Sequence, residues 1–202
     1  MKRAPRVAAV QDISGFGRCS MTVALPVLSA MGAQCCPLPT AYLSAHTAFP
    51  ELGKAAFLDL TRELEQTQEH WAALGVALDA VYSGFIGSAG QIAAIRRFYE
   101  RFRGADTVVL CDPVMGDGGR PYRTYTPDMC RAMGELAALA DVITPNLTEA
   151  ALLLGEEYAD APGSETAARA WLERLSRDGR RSVVLTGLSF TGGEIGAGYF
   201  DA

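Results

Sequence analysis

The sequence predicts an α/β fold in which a mostly parallel sheet is covered on both faces by helices. Two observations support this fold class. Short β-branched and apolar runs alternate along the chain with longer segments of helical periodicity. Helices of this length between strands favour parallel pairing, because parallel neighbours need long crossover connections. The 202 residues are expected to form a single domain, residues 1–202.

Six short apolar runs are predicted to form the strands. The first is RVAAVQ, and the clearest is TVVLC, which stops at an acid. A further segment, residues 193–200, is typical of one half of a hairpin. The six predicted strands span residues 6–11, 34–38, 79–82, 107–111, 141–144 and 182–186.

Helices are predicted where apolar residues recur three and four positions apart. Phe57, Leu60 and Leu64 have this spacing, which predicts an amphipathic helix over residues 54–74. Pro26 weakens the first predicted helix, because proline lacks the backbone N–H that a helix interior uses. The predicted helices span residues 19–31, 54–74, 88–102, 127–139, 148–154 and 164–177.

Composition argues against several classes of protein. Hydrophobic residues make up 49% and charged residues 20%, so the chain can build a core and disorder is not expected. A net charge of −5 with only two lysines argues against nucleic-acid binding, which needs clustered basic side chains. No apolar run approaches the roughly 18 residues of a membrane span, and no signal peptide is recognisable. We therefore expect a cytoplasmic protein, whose five cysteines without C-x-x-C spacing are reduced, buried thiols.

Polar residues and glycines follow the first predicted strand. Asp12 and Ser14 offer hydrogen-bonding side chains, and Gly15 and Gly17 let a backbone approach a ligand closely. In parallel α/β sheets, ligands bind beyond the carboxyl ends of the strands. The segment lacks the third glycine of a dinucleotide fingerprint, and the chain has no Gly-x-x-x-x-Gly-Lys-Ser/Thr loop. By itself this segment is weak evidence, but it favours a ligand site over an ordinary turn, which would need only one glycine.

The loop after the strand TVVLC carries a more specific signal. Asp112 stands directly at the end of that strand, where a carboxylate costs desolvation free energy unless a cation or a donor meets it. Asp117 follows five residues later in a glycine-rich turn. Two carboxylates presented in this way suit Mg²⁺, which retains waters and borrows phosphate oxygens from substrates. The alternative is that Asp112 only caps a helix or forms a turn.

Two further strand-end segments carry candidate residues. In TPNLTE, Asn146 and Glu149 are three apart and can face the same side of a helix's first turn, although simple N-capping would use the same pair. The loop predicted at residues 39–47 contains His46 among hydroxyl-bearing residues, whereas His70 lies on a helical pattern and is expected to be an ordinary surface or packing residue. Two histidines do not allow a Ser/His/Asp relay to be assigned.

Six segments with candidate ligand-binding residues follow one another along the chain. They are DISGFGRCS at residues 12–20, PTAYLSAHT at 39–47, YSGFIGS at 82–88, DPVMGDGGRPY at 112–122, ITPNLTEA at 143–150 and VVLTG at 183–187. Taken together and in this order, these segments resemble the ribokinase-like vitamin kinases, and most closely the pyridoxal/pyridoxamine kinases. DPVM and TPN-x-x-E alone are also typical of the hydroxymethylpyrimidine kinases of thiamine synthesis. The resemblance implies a ribokinase-like three-layer α/β/α sandwich with a mostly parallel central sheet.

The resemblance implies transfer of the γ-phosphoryl group of MgATP to the 5′-hydroxyl of pyridoxal, pyridoxine or pyridoxamine. It also implies a homodimer and allows for a monovalent cation. The vitamer would be bound by Asp12, Ser14, His46, Thr47 and Phe85, of which Asp12 and Thr47 face the ring. The nucleotide would be bound by Asp112, Thr144, Asn146 and Thr186, and the Mg²⁺ by Asp112, Asp117, Tyr122 and Glu149. We expect Asp112 and Glu149 to lie at one shared hollow.

The chain departs from the family pattern in two places. Well-known relatives have serine where Asp12 stands, and an acid there favours a cationic amine such as pyridoxamine. The family's Gly-x-Gly-Asp motif, with its general-base aspartate, does not precede Ala202, and Gly196-Ala197-Gly198-Tyr199 lacks the acid. We therefore expect a C-terminally truncated kinase with no catalytic base among these residues and no activity in this form. The alternatives are a hydroxymethylpyrimidine kinase and a non-catalytic B6-vitamer binding protein.

Overall fold

A computed structural model describes residues 3–47, 49 and 54–202, which form two compact units, Met1–Val109 and Leu110–Ala202. Both units combine mostly parallel strands with helices, and the predicted α/β class is confirmed. The assignment of residues 1–202 to one domain stays a prediction. Among the described helices, none combines the length and the apolarity that crossing a bilayer requires.

The first unit contains four strands and three helices among the described residues. The elements are β1 (Arg6–Ser14), α1 (Met21–Ala30), β2 (Gln34–Leu43), β3 (Phe57–Asp59), α2 (Thr61–Ala73), β4 (Ala80–Ser83) and α3 (Ala89–Phe102). β1 pairs in parallel with both β2 and β4, while β3 pairs antiparallel with β2, so the strand order is β4-β1-β2-β3. Ala8, Ala9 and Val10 of β1 are fully buried, so the unit is built around its first strand.

The second unit continues from β5 (Val108–Cys111). The further elements are β6 (Gly116–Asp117), β7 (Arg120–Pro121), α4 (Pro127–Ala137), β8 (Val142–Ile143), α5 (Leu147–Leu154), a 3-10 turn (Tyr158–Asp160), α6 (Glu165–Leu175), β9 (Ser182–Leu188) and β10 (Gly196–Phe200). β8 pairs in parallel with the end of β5 and with β9, and β10 pairs antiparallel with β9 at the edge of the sheet.

Helix α3 illustrates how local sequence sets an element. Ser88 precedes it, and the Ser88 hydroxyl accepts a hydrogen bond of 3.2 Å from the Gln91 N–H, which is an N-cap. One apolar stripe of α3 is buried; its members are Ile92, Ile95, Phe98, Tyr99 and Phe102. The Trp71 ring of α2 contacts this stripe, with 6.2 Å between the ring centroids of Trp71 and Phe98.

The prediction of a helix over residues 54–74 is wrong in its first third. Phe57 lies in β3, and the helix α2 begins only at Thr61. Pairing with β2 supplies the backbone partners of β3, so the spacing of Phe57, Leu60 and Leu64 does not extend the helix. The Asp59 carboxylate accepts a hydrogen bond of 2.8 Å from the Thr61 N–H, which stabilises the start of the helix at this point.

Several other predictions need correction. β1 runs to Ser14 and β2 to Leu43, so residues predicted as loop belong to long central strands. The short hairpin of β6 and β7 lies in a segment predicted as loop throughout. All five cysteines are free thiols, but only Cys111 is buried; the other four lie before or close to the first residues of α1, β2 and α4 and are partly exposed. The half hairpin predicted at residues 193–200 is confirmed as β10.

Candidate active site

Three neighbouring strands of the second unit end at one hollow of about 320 Å³. Asp112 follows β5 directly, Thr144 and Asn146 follow β8, and Thr186 lies in β9. The residues that line the hollow are Asp112, Val114, Tyr122, Thr144, Asn146, Glu149 and Thr186. Six of these seven are residues that the sequence assigned to nucleotide or metal binding, and the expectation that Asp112 and Glu149 share a hollow is met.

Asn146 and Glu149 form a capping box at the start of α5. The Asn146 Oδ1 accepts from the Glu149 N–H at 3.0 Å, and the Glu149 Oε2 accepts from the Asn146 N–H at 2.9 Å. Glu149 Oε1 also accepts from the Met115 N–H at 3.2 Å, and Asn146 Nδ2 donates to the Gly116 carbonyl at 2.9 Å. The capping interpretation is therefore correct, and the cap also fixes both side chains at the wall of the hollow.

The two carboxylates of the hollow are electrostatically coupled. Burial, together with the charge of Asp112, raises the pKa of Glu149 to about 8, although hydrogen bonds from backbone N–H groups oppose the shift. Burial raises the pKa of Asp112 to about 6, and a hydrogen bond from the Thr144 hydroxyl opposes it. Near neutral pH the two carboxylates by themselves therefore favour fewer than two negative charges. A cation in the hollow would reverse this by favouring both ionised forms.

The donor set fits one kind of metal ion. Within the described residues no group of three or more His, Cys, Asp or Glu side chains is arranged to hold a metal. Asp112 and Glu149 supply two carboxylates beside open space. Mg²⁺ is commonly held by one or two carboxylates while keeping waters and phosphate oxygens as its other ligands. These residues therefore fit a Mg²⁺ ion that binds together with a phosphate group.

Tyr122 and Asp117 differ in how they meet the site. Tyr122 lines the hollow, and burial and the nearby carboxylates, first Glu149, raise the pKa of its hydroxyl. Asp117 is exposed in β6 and accepts a hydrogen bond of 2.8 Å from the Gly118 N–H in its own turn. Asp117 does not line the hollow. Its assignment as a metal ligand, like that of Tyr122, stays a prediction.

Sequence reasoning missed Val114, Thr148 and Tyr158, which shape this loop. Val114 lines the hollow, and the Thr148 hydroxyl accepts a hydrogen bond of 2.9 Å from the Gly119 N–H. Gly119 has φ +78°, and a Cβ there would lie 2.6 Å from the Tyr158 ring, so only glycine fits without a shift. The paired glycines of GDGG were the available signal for the turn, but the contact with Tyr158 is non-local.

The first unit contains the residues predicted to bind a ring. Asp12 is buried near the end of β1, and its carboxylate accepts a hydrogen bond of 2.9 Å from the buried Ser14 hydroxyl. The backbone of His46 is tied to the glycine-rich segment, because its N–H donates to the Phe16 carbonyl at 2.9 Å. A Cβ at Gly17, whose φ is +129°, would lie 3.1 Å from the His46 Cβ.

The two remaining predicted ring contacts are also in the first unit. Thr47 and Phe85 are both partly buried. The Phe85 carbonyl accepts a hydrogen bond of 3.0 Å from the Thr40 hydroxyl, which fixes the backbone after β4. The structure thus joins Asp12 with Ser14 and anchors the segments of His46 and Phe85. The vitamer-binding roles of these residues stay predictions.

Residues 25–197 match the sequence model of the phosphomethylpyrimidine kinase family. The chain belongs to this family. Two of the curated proteins that are similar to this chain are pyridoxal kinases PdxY. That of Deinococcus radiodurans is 32% identical over 90% of this chain and 62% of the relative. That of Pseudomonas syringae pv. tomato is 30% identical over 95% of this chain and 66% of the relative. The chain therefore spans just under two thirds of the length of these relatives.

Solved structures of family members confirm the predicted ribokinase-like fold. A putative phosphomethylpyrimidine kinase from Bacteroides thetaiotaomicron, crystallised with pyridoxal, is 43% identical with a TM-score of 0.86, over 92% of this chain and 64% of that one. The pyridoxal kinase of Lactobacillus plantarum is 33% identical with a TM-score of 0.86, over 98% of this chain and 68% of that one. The resemblance to the vitamin kinases is confirmed at the level of the family.

Proposed function

We propose that this protein transfers the γ-phosphoryl group of ATP to the 5′-hydroxyl of pyridoxal, pyridoxine or pyridoxamine. The observation that carries the proposal is the convergence on one hollow of Asp112, which follows β5, and of Asn146 and Glu149, which follow β8. Phosphoryl transfer relies on positioning and on stabilising negative charge, so a site for Mg²⁺ and phosphates is its main requirement. The pyridoxal kinases among the similar proteins support the choice of acceptor.

Each residue of the hollow has a proposed task. Asp112 and Glu149 hold the Mg²⁺, which neutralises charge on the phosphates while bound there. Asn146 and Thr144 keep the two carboxylates in place through the capping box and the hydroxyl bond to Asp112. Thr186 is held by its N–H, which donates to the Pro145 carbonyl at 2.9 Å, and contacts the nucleotide.

The acceptor site is proposed for the first unit. Asp12 and Ser14 present a carboxylate and a hydroxyl to the ring, and Thr47, His46 and Phe85 complete the site. The similar Bacteroides thetaiotaomicron protein, crystallised with pyridoxal, supports a pyridoxal site in this chain. Because Asp12 supplies a negative charge, we propose a preference for the cationic amine of pyridoxamine.

Two measurements test the proposal. The 202-residue chain should bind pyridoxal, and a separate titration should show that its ADP affinity depends on Mg²⁺. Phosphoryl transfer is then measured in the protein as its gene encodes it, with pyridoxal and hydroxymethylpyrimidine in competition. Preferential phosphorylation of the B6 vitamer is the expected result, and preference for the pyrimidine alcohol would contradict it. Vitamer binding without transfer would indicate a non-catalytic B6-binding protein.

A hydroxymethylpyrimidine kinase is the second candidate. The matched family favours it, as does the description of the similar Bacteroides thetaiotaomicron protein as a putative phosphomethylpyrimidine kinase, although the same protein was crystallised with pyridoxal. The same acidic hollow would serve both reactions, because it handles the nucleotide and not the ring. The competition assay decides between them.

We further propose that two copies of the chain associate, and that the protein acts in the cytoplasm. Helix α1 carries no charged residue and exposes Val23, Leu25 and Val27, each to at least 41%, which suits a contact with another copy. Sedimentation analysis tests the association of two copies, with a Val27→Glu variant expected to shift the protein toward monomer.

The five free thiols suit a reducing compartment, which supports the proposed cytoplasmic location. Activity measured in K⁺ and compared with activity in Na⁺ tests whether a monovalent cation assists the reaction.

A further inference from the structure

A second cavity of the second unit, of about 740 Å³, shares no lining residue with the hollow at Asp112. Its volume lies in the range of small-molecule sites, roughly 300 to 1,000 Å³. Apolar side chains such as Leu152 form part of its wall, and Glu135 is the one acidic residue that lines it. The proposed function gives none of its lining residues a task. Four of these residues are arginines: Arg131, Arg174, Arg177 and Arg181.

The four arginines of this cavity fall into two pairs. Arg131 and Arg174 each form an ion pair with a carboxylate. Arg177 and Arg181 have no carboxylate within ion-pair distance in the part of the chain that the structure describes. The cavity therefore contains two positive charges without a counter-ion. The two ion pairs are Arg131–Asp128 and Arg174–Glu156.

The guanidinium groups of Arg177 and Arg181 lie together at the end of α4. Arg181 is 7% exposed, and it donates from Nε to the Leu175 carbonyl at 2.7 Å and from Nη1 to the Ala137 carbonyl at 2.6 Å. Arg177 donates from Nη1 to the next carbonyl of the chain, that of Ala138, at 3.2 Å. The Nη2 of Arg181 has no hydrogen-bond partner among the described residues and is not a fully buried atom, so a donor remains accessible on a residue that lines the cavity.

This pair of cations lacks full compensation. Burial and the charge of Arg177 lower the pKa of Arg181 to about 10, so the guanidinium group is still charged at neutral pH. The carbonyls at the end of a helix supply the equivalent of only about half a negative charge, which offsets part of the two positive charges. An anion would supply the rest. A phosphate group offers three oxygens and can meet both arginines at once, whereas the two oxygens of a carboxylate are used by a single bidentate arginine.

We propose that this cavity is a second ligand site, which binds a phosphate monoester with an apolar body. Arg177 and Arg181 hold the phosphate, and the apolar body lies against the part of the wall that includes Leu152. The ligand needs no Mg²⁺ here, because its charge is met by arginines. Since no residue of the hollow lines the cavity, the site does not depend on the proposed function.

The probe is phenyl phosphate, which joins a phosphate monoester to an aromatic ring. Its affinity for the 202-residue chain is measured by titration calorimetry in EDTA, so that no metal ion holds a phosphate at the hollow. Phenyl phosphate is expected to bind at least about 10-fold more tightly than inorganic phosphate, which lacks the apolar body, and than benzoate, which lacks the phosphate. Equal affinity for either of these would contradict the proposed ligand class, and no measurable binding of phenyl phosphate would overturn the site.

Arg177→Gln and Arg180→Gln form a matched pair of variants. Both arginines are exposed in the turn after α6, but only Arg177 lines the cavity. Arg177→Gln is expected to weaken phenyl phosphate binding about 10-fold, which is about 1.4 kcal/mol, and Arg180→Gln to leave it unchanged. Arg181 is not replaced, because it bonds the ends of two helices and its loss would lower stability.

Leu152→Gln changes the wall of the cavity instead of its charge. It should weaken phenyl phosphate binding several-fold and leave the affinity for inorganic phosphate unchanged. If Arg177→Gln lowers only the Tm and binds phenyl phosphate like wild type, the arginines serve only as helix caps and the proposal is overturned. Equal losses in Arg177→Gln and Arg180→Gln would overturn it too, since they indicate non-specific charge attraction. If Arg177→Gln does not fold, unchanged phenyl phosphate affinity in Leu152→Gln has the same consequence.

Discussion

Two buried or largely buried aspartates at strand ends, one in each unit, have different surroundings. Asp12 accepts a hydrogen bond from Ser14, two residues away, and both side chains are buried. Asp112 accepts from Thr144 and also acts on a second carboxylate, Glu149, whose pKa it helps to raise. The first carboxylate is thus paired with a neutral hydroxyl, whereas the second belongs to a self-repelling pair. The first arrangement suits a small organic ligand, and the second suits a metal ion with phosphates.

The largest expected effect concerns the charge of Asp112. Asp112→Ala should weaken ADP binding in the presence of Mg²⁺ about 100-fold, because the hollow loses one of its two carboxylates. Pyridoxal binding should be unchanged, since the proposed ring contacts lie in the first unit. Calorimetric titrations with and without Mg²⁺ measure both effects.

Asp128→Ala is the matched control for Asp112→Ala. Asp128 is an exposed carboxylate at the start of α4 that does not line the hollow, so its removal should change the Mg²⁺-dependent affinity by less than about 3-fold. Equal losses of ADP affinity in the two variants, or a loss that is independent of Mg²⁺, would contradict the proposal that Asp112, unlike Asp12, binds a metal ion with phosphates.

The coupled pair also predicts how stability depends on pH. In the folded protein the pKa of Asp112 is about 6 and that of Glu149 about 8, both above their usual values near 4. Between about pH 4 and pH 8 the folded state therefore binds more protons than the unfolded state, and the free energy of unfolding falls as pH rises. Each group contributes a slope of at most about 1.4 kcal/mol per pH unit.

Urea denaturation at pH 5, 6.5 and 8 measures this slope. Mg²⁺ with ADP should flatten it, because a bound cation favours both ionised carboxylates. Glu149→Gln removes one titrating group and should flatten the slope in the absence of ligand. This variant is also expected to lose about 1 kcal/mol of stability, since one of the two oxygens that accept backbone N–H groups becomes an amide nitrogen. A slope in Glu149→Gln as steep as in wild type would remove Glu149 from the explanation.

A smaller effect is expected from Asp12→Ser, which introduces the residue that well-known vitamin kinases carry. The preference for pyridoxamine over pyridoxal should fall several-fold, because serine removes a carboxylate whose attraction to the amine of the ligand is modest. Affinities of the two vitamers, measured by competition, give the ratio. Asp12→Asn controls for side-chain size, and an unchanged ratio in both variants would show that the charge of Asp12 does not select the vitamer.

The sequence predicted the second site more completely than the first. TVVLC ends at Asp112, and TPNLTE carries the capping pair, so local patterns placed both carboxylates at strand ends and the rule for parallel sheets brought them together. The strand at Phe57 was missed because its partner β2 is distant in sequence, and spacing alone cannot distinguish it from a helix. Gly119 against Tyr158, and Arg181 against Ala137, depend on contacts between distant segments, which no local pattern encodes.

The smallest predicted effect separates the two hydroxyl partners. Ser14→Ala removes the hydrogen bond to Asp12, and Thr144→Val removes the one to Asp112. Ser14→Ala should lower the free energy of unfolding by about 1 kcal/mol and leave Mg²⁺-dependent ADP binding unchanged, since that bond lies in the first unit. Thr144→Val should weaken ADP binding with Mg²⁺ by a few-fold, because the hydroxyl lines the hollow and opposes the rise in the pKa of Asp112. If both variants altered stability alone, the hydrogen bond from Thr144 would be structural like the one from Ser14, and the metal-binding interpretation of the hollow would lose its support.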